Sequence, residues 1–347
     1  KEKYDTIKEE LNEINKKLGS SQEKIEKPTL SFTQDAWRRL KKNKLATISL
    51  WFLAILLVFS IGSNFFVNAK DANSFNGGEV KTYRNLPPKL SDSLPFWNGS
   101  IVFSGNTEPN DVYSDQSVPK DDKFILGTDN LGRSLAKRVI VGIRISLLIA
   151  IVATLIDLII GVTYGLVSGF LGGKIDLFMQ RVIEVISSIP NLVIVTMLGL
   201  LLGSGVLSII ISIAIVGWTS MARQVRNLTL SYREREFVLA SRALGENNFK
   251  IAFKHVLPNI SGIIIVQIMM TVPSAIMYEA VLSAINLGVK PPTASLGSLI
   301  TDASENLQYY PYQVVIPALA LVFISLAFIL LGDGLRDAFD PKSNKEN

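Results

Sequence analysis

The sequence predicts an all-α integral membrane protein with six transmembrane helices. Charged residues make up 19% of the chain and apolar ones 48%, where an ordinary soluble chain carries roughly 25% charge. Five long stretches, 45–69, 145–173, 185–222, 256–278 and 307–332, hold a single charge among them, Asp157. A helix rises about 1.5 Å per residue, so about 20 residues cross the hydrocarbon. The stretch 185–222 would reach about 57 Å as one helix. It contains Gly203-Ser204-Gly205, and two spans joined by a tight turn are expected there.

Residues 1–44 form an N-terminal tail and interfacial segment. Ile7, Leu11, Ile14 and Leu18 fall at helical spacing among charges, which predicts a weakly amphipathic or unstructured tail. A short helix over 32–40 is expected at the membrane surface, with Trp37 at the interface. The first span covers 45–69. Residues 70–138 form an external loop, rich in Asn, Asp, Ser, Gly and Pro, that ends in a helix along the outer interface. Five spans follow over 139–333, with a cytoplasmic helical segment at 233–254, and 334–347 is a second tail.

Orientation follows from the bases. Arg38, Arg39, Lys41, Lys42 and Lys44 precede the first span without an intervening acid, a cytoplasmic anchor. Alternation then places Lys174, Arg181, the Arg223–Lys254 cluster and Arg336 inside, so both termini are expected in the cytoplasm. The 70–138 loop has nine bases and nine acids, and long translocated loops largely escape the rule. The net charge of +5 is therefore a membrane-topology signal, and no nucleic-acid partner is expected. With no cysteine and one histidine, His255, thiolate chemistry, disulfides and His-rich metal sites are excluded. No catalytic residue and no metal ligand is assigned. A phosphate-binding G-x-x-x-x-G-K-[ST] loop is absent too.

Four segments carry more pattern than packing requires. In 126–147, Arg133, Lys137, Arg138 and Arg144 recur at helical spacing, as in an interfacial helix touching lipid headgroups. In 169–190, Gly172-Gly173 predicts a sharp turn, Arg181 can pair with Glu184, and Pro190 breaks the third span early. In 233–259, Phe237, Ala240, Ser241 and Leu244 share one face of a short helix that Gly245 stops, and a second helix runs from about Asn248 to His255 before the fifth span starts at Leu257. Such a small-residue face suits a groove on another protein, and equally a surface amphipathic helix. In 279–297, Glu279 lies near the outer end of the fifth span, a functional candidate or the partner of another subunit's base.

Taken together, LGTDNLGR at 126–133, Gly172-Gly173 with Asp176, Trp218 with MARQVR, SRALG…HVLPN, EAVLS-x-x-NLGV-x-PP and GDGLRDAFDP resemble the permease subunits of ABC importers for peptides, most closely the C-type permease of oligopeptide and dipeptide systems. The likeness covers 37–341. It implies the type I ABC importer permease fold and a coupling helix, made here by Glu236, Phe237, Ala240, Ser241, Arg242, Leu244 and Gly245. It also implies a second homologous permease, two ATP-binding subunits and an external peptide-binding lipoprotein. ATP and magnesium would sit on the partner ATPases, so this chain carries no cofactor and is not an enzyme. Three stretches depart from the family pattern: Leu239-Ala240-Ser241 stands for Glu-Ala-Ala, Ser295-Leu296-Gly297 for Ser-Trp-Gly, and 284–288 for Phe-Leu-Gly-Leu-Gly. Ser187, Ser188, Pro190 and Ser274 are expected to line the passage, since small residues admit close helix approach. Arg133, Arg144 and Glu279 are candidates for an external gate or partner contact. Nickel and other small-solute importers share this fold and remain an alternative. A remote one is an intramembrane aspartyl protease using Asp157 and Asp333; a secondary transporter would need more midplane charges than Asp157 offers.

Overall fold

The computed structural model describes residues 32–74, 83–102 and 109–339. The patterned tail at 1–27 and the end of the chain after Phe339 lie outside the described residues. The chain builds α1 (Phe32–Lys42), α2 (Lys44–Gly62), α3 (Ala69–Asn73), β1 (Ser100–Ile101), β2 (Asn110–Asp111) and α4 (Val112–Asp115). There follow α5 (Leu135–Leu171), α6 (Gly173–Ser187), α7 (Asn191–Leu202), α8 (Val206–Arg233), α9 (Glu236–Ala243), α10 (Asn248–Ile251), α11 (Leu257–Ala284), α12 (Leu296–Ser304) and α13 (Tyr312–Phe339). Five segments are long and apolar enough to cross a bilayer: Lys44–Phe65, Leu135–Leu171, Val206–Arg233, Asn248–Ala284 and Tyr312–Phe339. The pair α6 and α7 passes the same test only when taken together, with a 76° bend between them, and the number of spans is six when that pair is counted as one. Pro190 sits at that break as the residue before α7, and the turn at 203–205 separates α7 from α8 as expected.

Two boundaries differ from the sequence reading. No separate helix lies along the outer interface before the second span: α5 starts at Leu135 and runs unbroken to Leu171. The segment from Asn248 is likewise continuous with the fifth span, through one wide π turn over Ala252–Val256. The apolar residues Ile251, Ala252 and Val256 are all buried there, so burial carries the helix past the point where its charges suggest a loop.

The α5–α8 pair is the spine. Gly161, Gly165 and Gly169, one helical turn apart on α5, lie against Met221, Ala222 and Thr229 of α8 in the same order, so the two helices run parallel. A Cβ on Gly165 would stand 2.6 Å from the Ala222 carbonyl and one on Gly169 2.8 Å from Thr229 Cβ. This is the small-residue spacing that lets membrane helices touch backbone to backbone. Opposite it, α11 and α13 pack antiparallel, with Gly262 against Phe339 and Gly332 against Met269 and Met270; α2 closes on α13 where Ala46 meets Gly334.

The segment between α3 and α5 has a small core of its own, Tyr83, Leu86, Val112 and Tyr113, beside the antiparallel pair β1–β2. It is fastened to the membrane part at the start of α13. Tyr312 donates to the Leu86 carbonyl at 2.9 Å, and the Gln313 amide donates to Asn85 Oδ1 and the Thr128 carbonyl, each at 2.9 Å.

Candidate functional site

Helix α9 is short because sequence signals bound it tightly. Arg235 precedes it in an extended conformation. At its end Gly245 takes φ +80°, its amide donates to Arg242 O at 3.0 Å, and the Glu246 amide reaches Ser241 O at 3.1 Å. That bond pair is the Schellman stop, which a glycine adopts without a Cβ penalty.

The helix is rooted by one side chain. Val238 is fully buried in a cluster with Leu166, Phe170, Val225, Ile251 and Val256, which joins α9 to α5, α8 and the start of the fifth span. Around that root, Arg242 lies 5.5 Å from the Phe170 ring centre and Arg235 5.7 Å from that of Tyr232. Arg233 donates to the Gly169 carbonyl at 3.3 Å. Beyond the stop, Glu246 accepts from Lys250 Nζ at 3.0 Å and pairs with His255 Nε2 at 2.8 Å. The Lys250 hydrogen bond, with that of His255, holds the Glu246 carboxyl below its ordinary range.

With Val238 inward, the rest of α9 looks out. Glu236, Phe237, Ala240, Arg242, Leu244 and Gly245 are exposed and Ser241 is half-buried; Leu244 is 87% exposed. Ser241 Oγ is bonded to the Phe237 carbonyl, so the face is small and apolar rather than hydrogen-bonding. Leu239 is exposed as well. The sequence reading found this face but missed Val238, which sits inside the apolar run Phe237-Val238-Leu239 with nothing local to mark it as the buried member.

A second lock at the same end of the helices lies at the Gly172-Gly173 turn, where both residues have positive φ. Arg226 of α8 grips Asp176 with Nε and Nη2, both at 2.6 Å, and Ser168 donates to the same carboxylate. The expected Arg181–Glu184 pair forms at 2.6 Å but is exposed, where such pairs contribute little. The partner that matters for Asp176 comes from α8, fifty residues away.

The passage candidates are all accessible. Ser188, Pro190 and Ser274 are exposed and Ser187 half-buried. Ser188 and Ser274 donate back to Val185 O and Met270 O of their own helices. Ser187, Ser188 and Pro190 sit at the α6–α7 bend, and Ser274 on α11.

The external candidates need correction. Glu279 is fully buried and accepts from Ser146 of α5 at 3.1 Å, Ser283 at 2.9 Å and Ser295, the residue that caps α12. Another subunit's base cannot reach it; three hydroxyls of this chain satisfy it. Arg133 and Arg138 do not form a headgroup stripe either. Both are buried and converge on Asp129 at 2.7 Å, and Arg138 also reaches Asp302 at 3.3 Å. Arg133 extends to Asn73 Oδ1 at 3.0 Å, whose amide bonds the Pro292 carbonyl. Arg144 is half-buried and donates to the Val67 carbonyl at 3.3 Å. These residues knit the outer end together. Asp157 is 1% exposed and packed against Gly217, while Asp333 is open to solvent, so the two carboxylates do not share the buried site an aspartyl protease requires. Among the described residues no group of His, Asp and Glu is placed to hold a metal.

This geometry defines a polytopic helical membrane protein with a short helix, α9, rooted on one side and exposed on the other. The family profile described as "Binding-protein-dependent transport system inner membrane component" matches residues 161–345, and that of the "N-terminal TM domain of oligopeptide transport permease C" matches 31–88. Over 342 residues the chain is 60% identical to a dipeptide transport system permease protein of Lactococcus lactis subsp. cremoris, covering 99% of this chain and 100% of the relative. It is 38% identical to the corresponding Bacillus subtilis protein (98% and 95% covered) and 35% identical to the oligopeptide transport system permease protein OppC of Escherichia coli (94% and 96%). A chain of the inward-facing methionine ABC transporter MetNI superposes with a TM-score of 0.51 at 18% identity, covering 59% of this chain and 97% of that one. The chain belongs to the binding-protein-dependent transport system inner membrane components, with the fold of a type I ABC importer permease.

Proposed function

We propose that this chain is one of two permease subunits of an ATP-driven importer of short peptides, dipeptides above all. The full-length 60% identity to the Lactococcus dipeptide permease carries that reading. The second permease completes a passage that six helices cannot enclose alone. An external peptide-binding lipoprotein delivers the solute, and two ATPases hold ATP and magnesium. Both termini and α9 face the cytoplasm, in keeping with the basic clusters at 38–44 and 223–254.

In this reading α9 is the coupling helix. Its exposed face, Phe237, Ala240, Ser241 and Leu244 with Glu236 and Arg242 on the flanks, seats in an ATPase groove. Closure of the ATPases pushes α9, and Val238 passes the movement to α5, α8 and α11, whose displacement opens the passage along Ser187, Ser188, Pro190 and Ser274. The test is uptake of labelled dipeptide into proteoliposomes holding both permeases, the ATPases and the binding protein. ATP-dependent accumulation of dipeptide is expected. Accumulation of nickel or another small solute in its place would overturn the substrate, and the absence of any ATP-driven uptake would overturn the importer.

A further inference from the structure

One sizeable cleft lies away from the sites above. It lies between the inner ends of α8, α11 and α13, has a volume of about 460 Å³, and is walled by Leu228, Ile263 and Met270, with Gln224, Gln267 and Arg336 as its polar groups. That volume is in the usual range of small-molecule sites, roughly 300–1,000 Å³. Arg336 is its one charged lining residue. Three polar side chains from three helices thus converge with no hydrogen bond or ion pair to another described residue.

Gln267 lies inside the uncharged stretch 256–278. An amide left without partners in hydrocarbon costs several kcal/mol, whereas one facing a water-filled passage is solvated. The cleft therefore opens to water, not lipid. It is also continuous with the passage face: Ile263, Gln267, Met270 and Ser274 follow at four-, three- and four-residue steps, one stripe of α11. The passage reaches this stripe from Ser274 and ends at the cleft.

We infer that this cleft is the inner station of the passage, where the Arg336 guanidinium receives the α-carboxylate of a departing peptide and the Gln224 and Gln267 amides receive its backbone. A guanidinium matches a carboxylate in a two-pronged geometry that an ammonium cannot copy. A primary amide presents the donor and acceptor that a peptide group needs. The leucine, isoleucine and methionine walls accept side chains without selecting among them. The inference rests on the peptide-import reading and adds two spans, the fourth and sixth, to the lining.

The test uses the natural absence of cysteine. Gln267→Cys, and Gln224→Cys as a second position, are placed in the assembled transporter in vesicles of zwitterionic lipid, ATPases outward, without binding protein. A charged, water-soluble thiol reagent is added from the ATPase side. Labelling is expected, and a dipeptide at ten times its Kd should slow it about tenfold. The same dipeptide as its C-terminal amide should not. Adding Arg336→Gln should abolish protection and leave labelling intact. If neither cysteine is labelled in a transporter that retains its ATPases, the cleft faces lipid or protein and the inference falls. Equal protection by free and amidated peptide, protection surviving Arg336→Gln, or protection by anionic lipid in place of peptide would each overturn the carboxylate assignment. Wild-type dipeptide uptake, measured alongside, separates these failures from failure of the import reading itself.

Discussion

At the outer end of the molecule, Asp129, Arg133, Arg138 and Glu279 are each under a tenth exposed and bonded to groups of their own chain. At the opposite end, Phe237 and Leu239 of α9 and Leu244 at its C-cap stand 40% or more exposed above one buried anchor, Val238. Both regions are rich in motif residues and join several spans. The outer network spends its polar groups internally and stiffens the chain. The inner helix is stiffened from behind by apolar packing and keeps its face unspent. At the outer end the patterned charges are internal fastenings, whereas the patterned small and apolar residues of α9 are left exposed, the contrast on which the proposed coupling role rests.

The comparison breaks first at the outer network. Asp129→Ala strips the buried Arg133 guanidinium of its carboxylate and leaves buried Arg138 only the half-exposed Asp302, and loss of one partner of a buried pair costs about 3–5 kcal/mol. The expected result is a large fall in folded, extractable protein, read by thermal unfolding in detergent; stability unchanged would mean the network is not structural. Gly165→Leu should come next. It forces a side chain into the α5–α8 contact where even a Cβ meets a carbonyl, overpacking that typically costs about 1–3 kcal/mol, read as a lowered unfolding temperature.

At the inner end, Val238→Ala and Ala240→Arg should separate. The first removes buried methyl groups and destabilises by about 1–2 kcal/mol. The second should leave stability within about 0.5 kcal/mol, as surface changes do, while weakening ATPase binding by about five- to a hundredfold, the equivalent of about 1–3 kcal/mol. If Ala240→Arg destabilises the isolated permease as Val238→Ala does, α9 is packed into its own chain and not presented.

The smallest effect concerns pH. Glu246 has a carboxyl pKa below its ordinary value of 4.5, chiefly through the Lys250 hydrogen bond. A lowered folded pKa stabilises the folded form above the unfolded pKa, and that contribution is lost as pH falls through the folded one. Amide protection factors at 245–251, taken relative to the intrinsic exchange rate at each pH, should therefore be flat from pH 7 down to about 4.5 and fall only below it. A fall near pH 6 would assign the tether to another group.

The sequence made the spans legible because hydrocarbon imposes length and charge rules that little else mimics. Gly203-Ser204-Gly205, Pro190 and Gly245 were readable for the same local reason: each punctuates the backbone wherever it stands. What failed was partnership at a distance. Arg226 binds Asp176 across fifty residues, and Glu279 takes Ser146 and Ser295, pairings that no local spacing announces. The charge-rich 126–147 stretch suggested a surface helix because Arg138 and Arg144 look solvated in one dimension; folding brings Asp129 against Arg138 and buries both. The glycine ladder at 161, 165 and 169 was present in the sequence at helical spacing, yet its meaning required the second helix.

The most direct test of the account is a crosslink from α9. Photoreactive residues placed singly at Ala240, Leu244, Val238 and the external Asn98 in the assembled transporter would report what each position touches. The account predicts that Ala240 and Leu244 capture an ATP-binding subunit, that Val238 reacts only within its own chain, and that Asn98 captures no ATPase. Absence of ATPase adducts from both 240 and 244, or their appearance from 98, would contradict it.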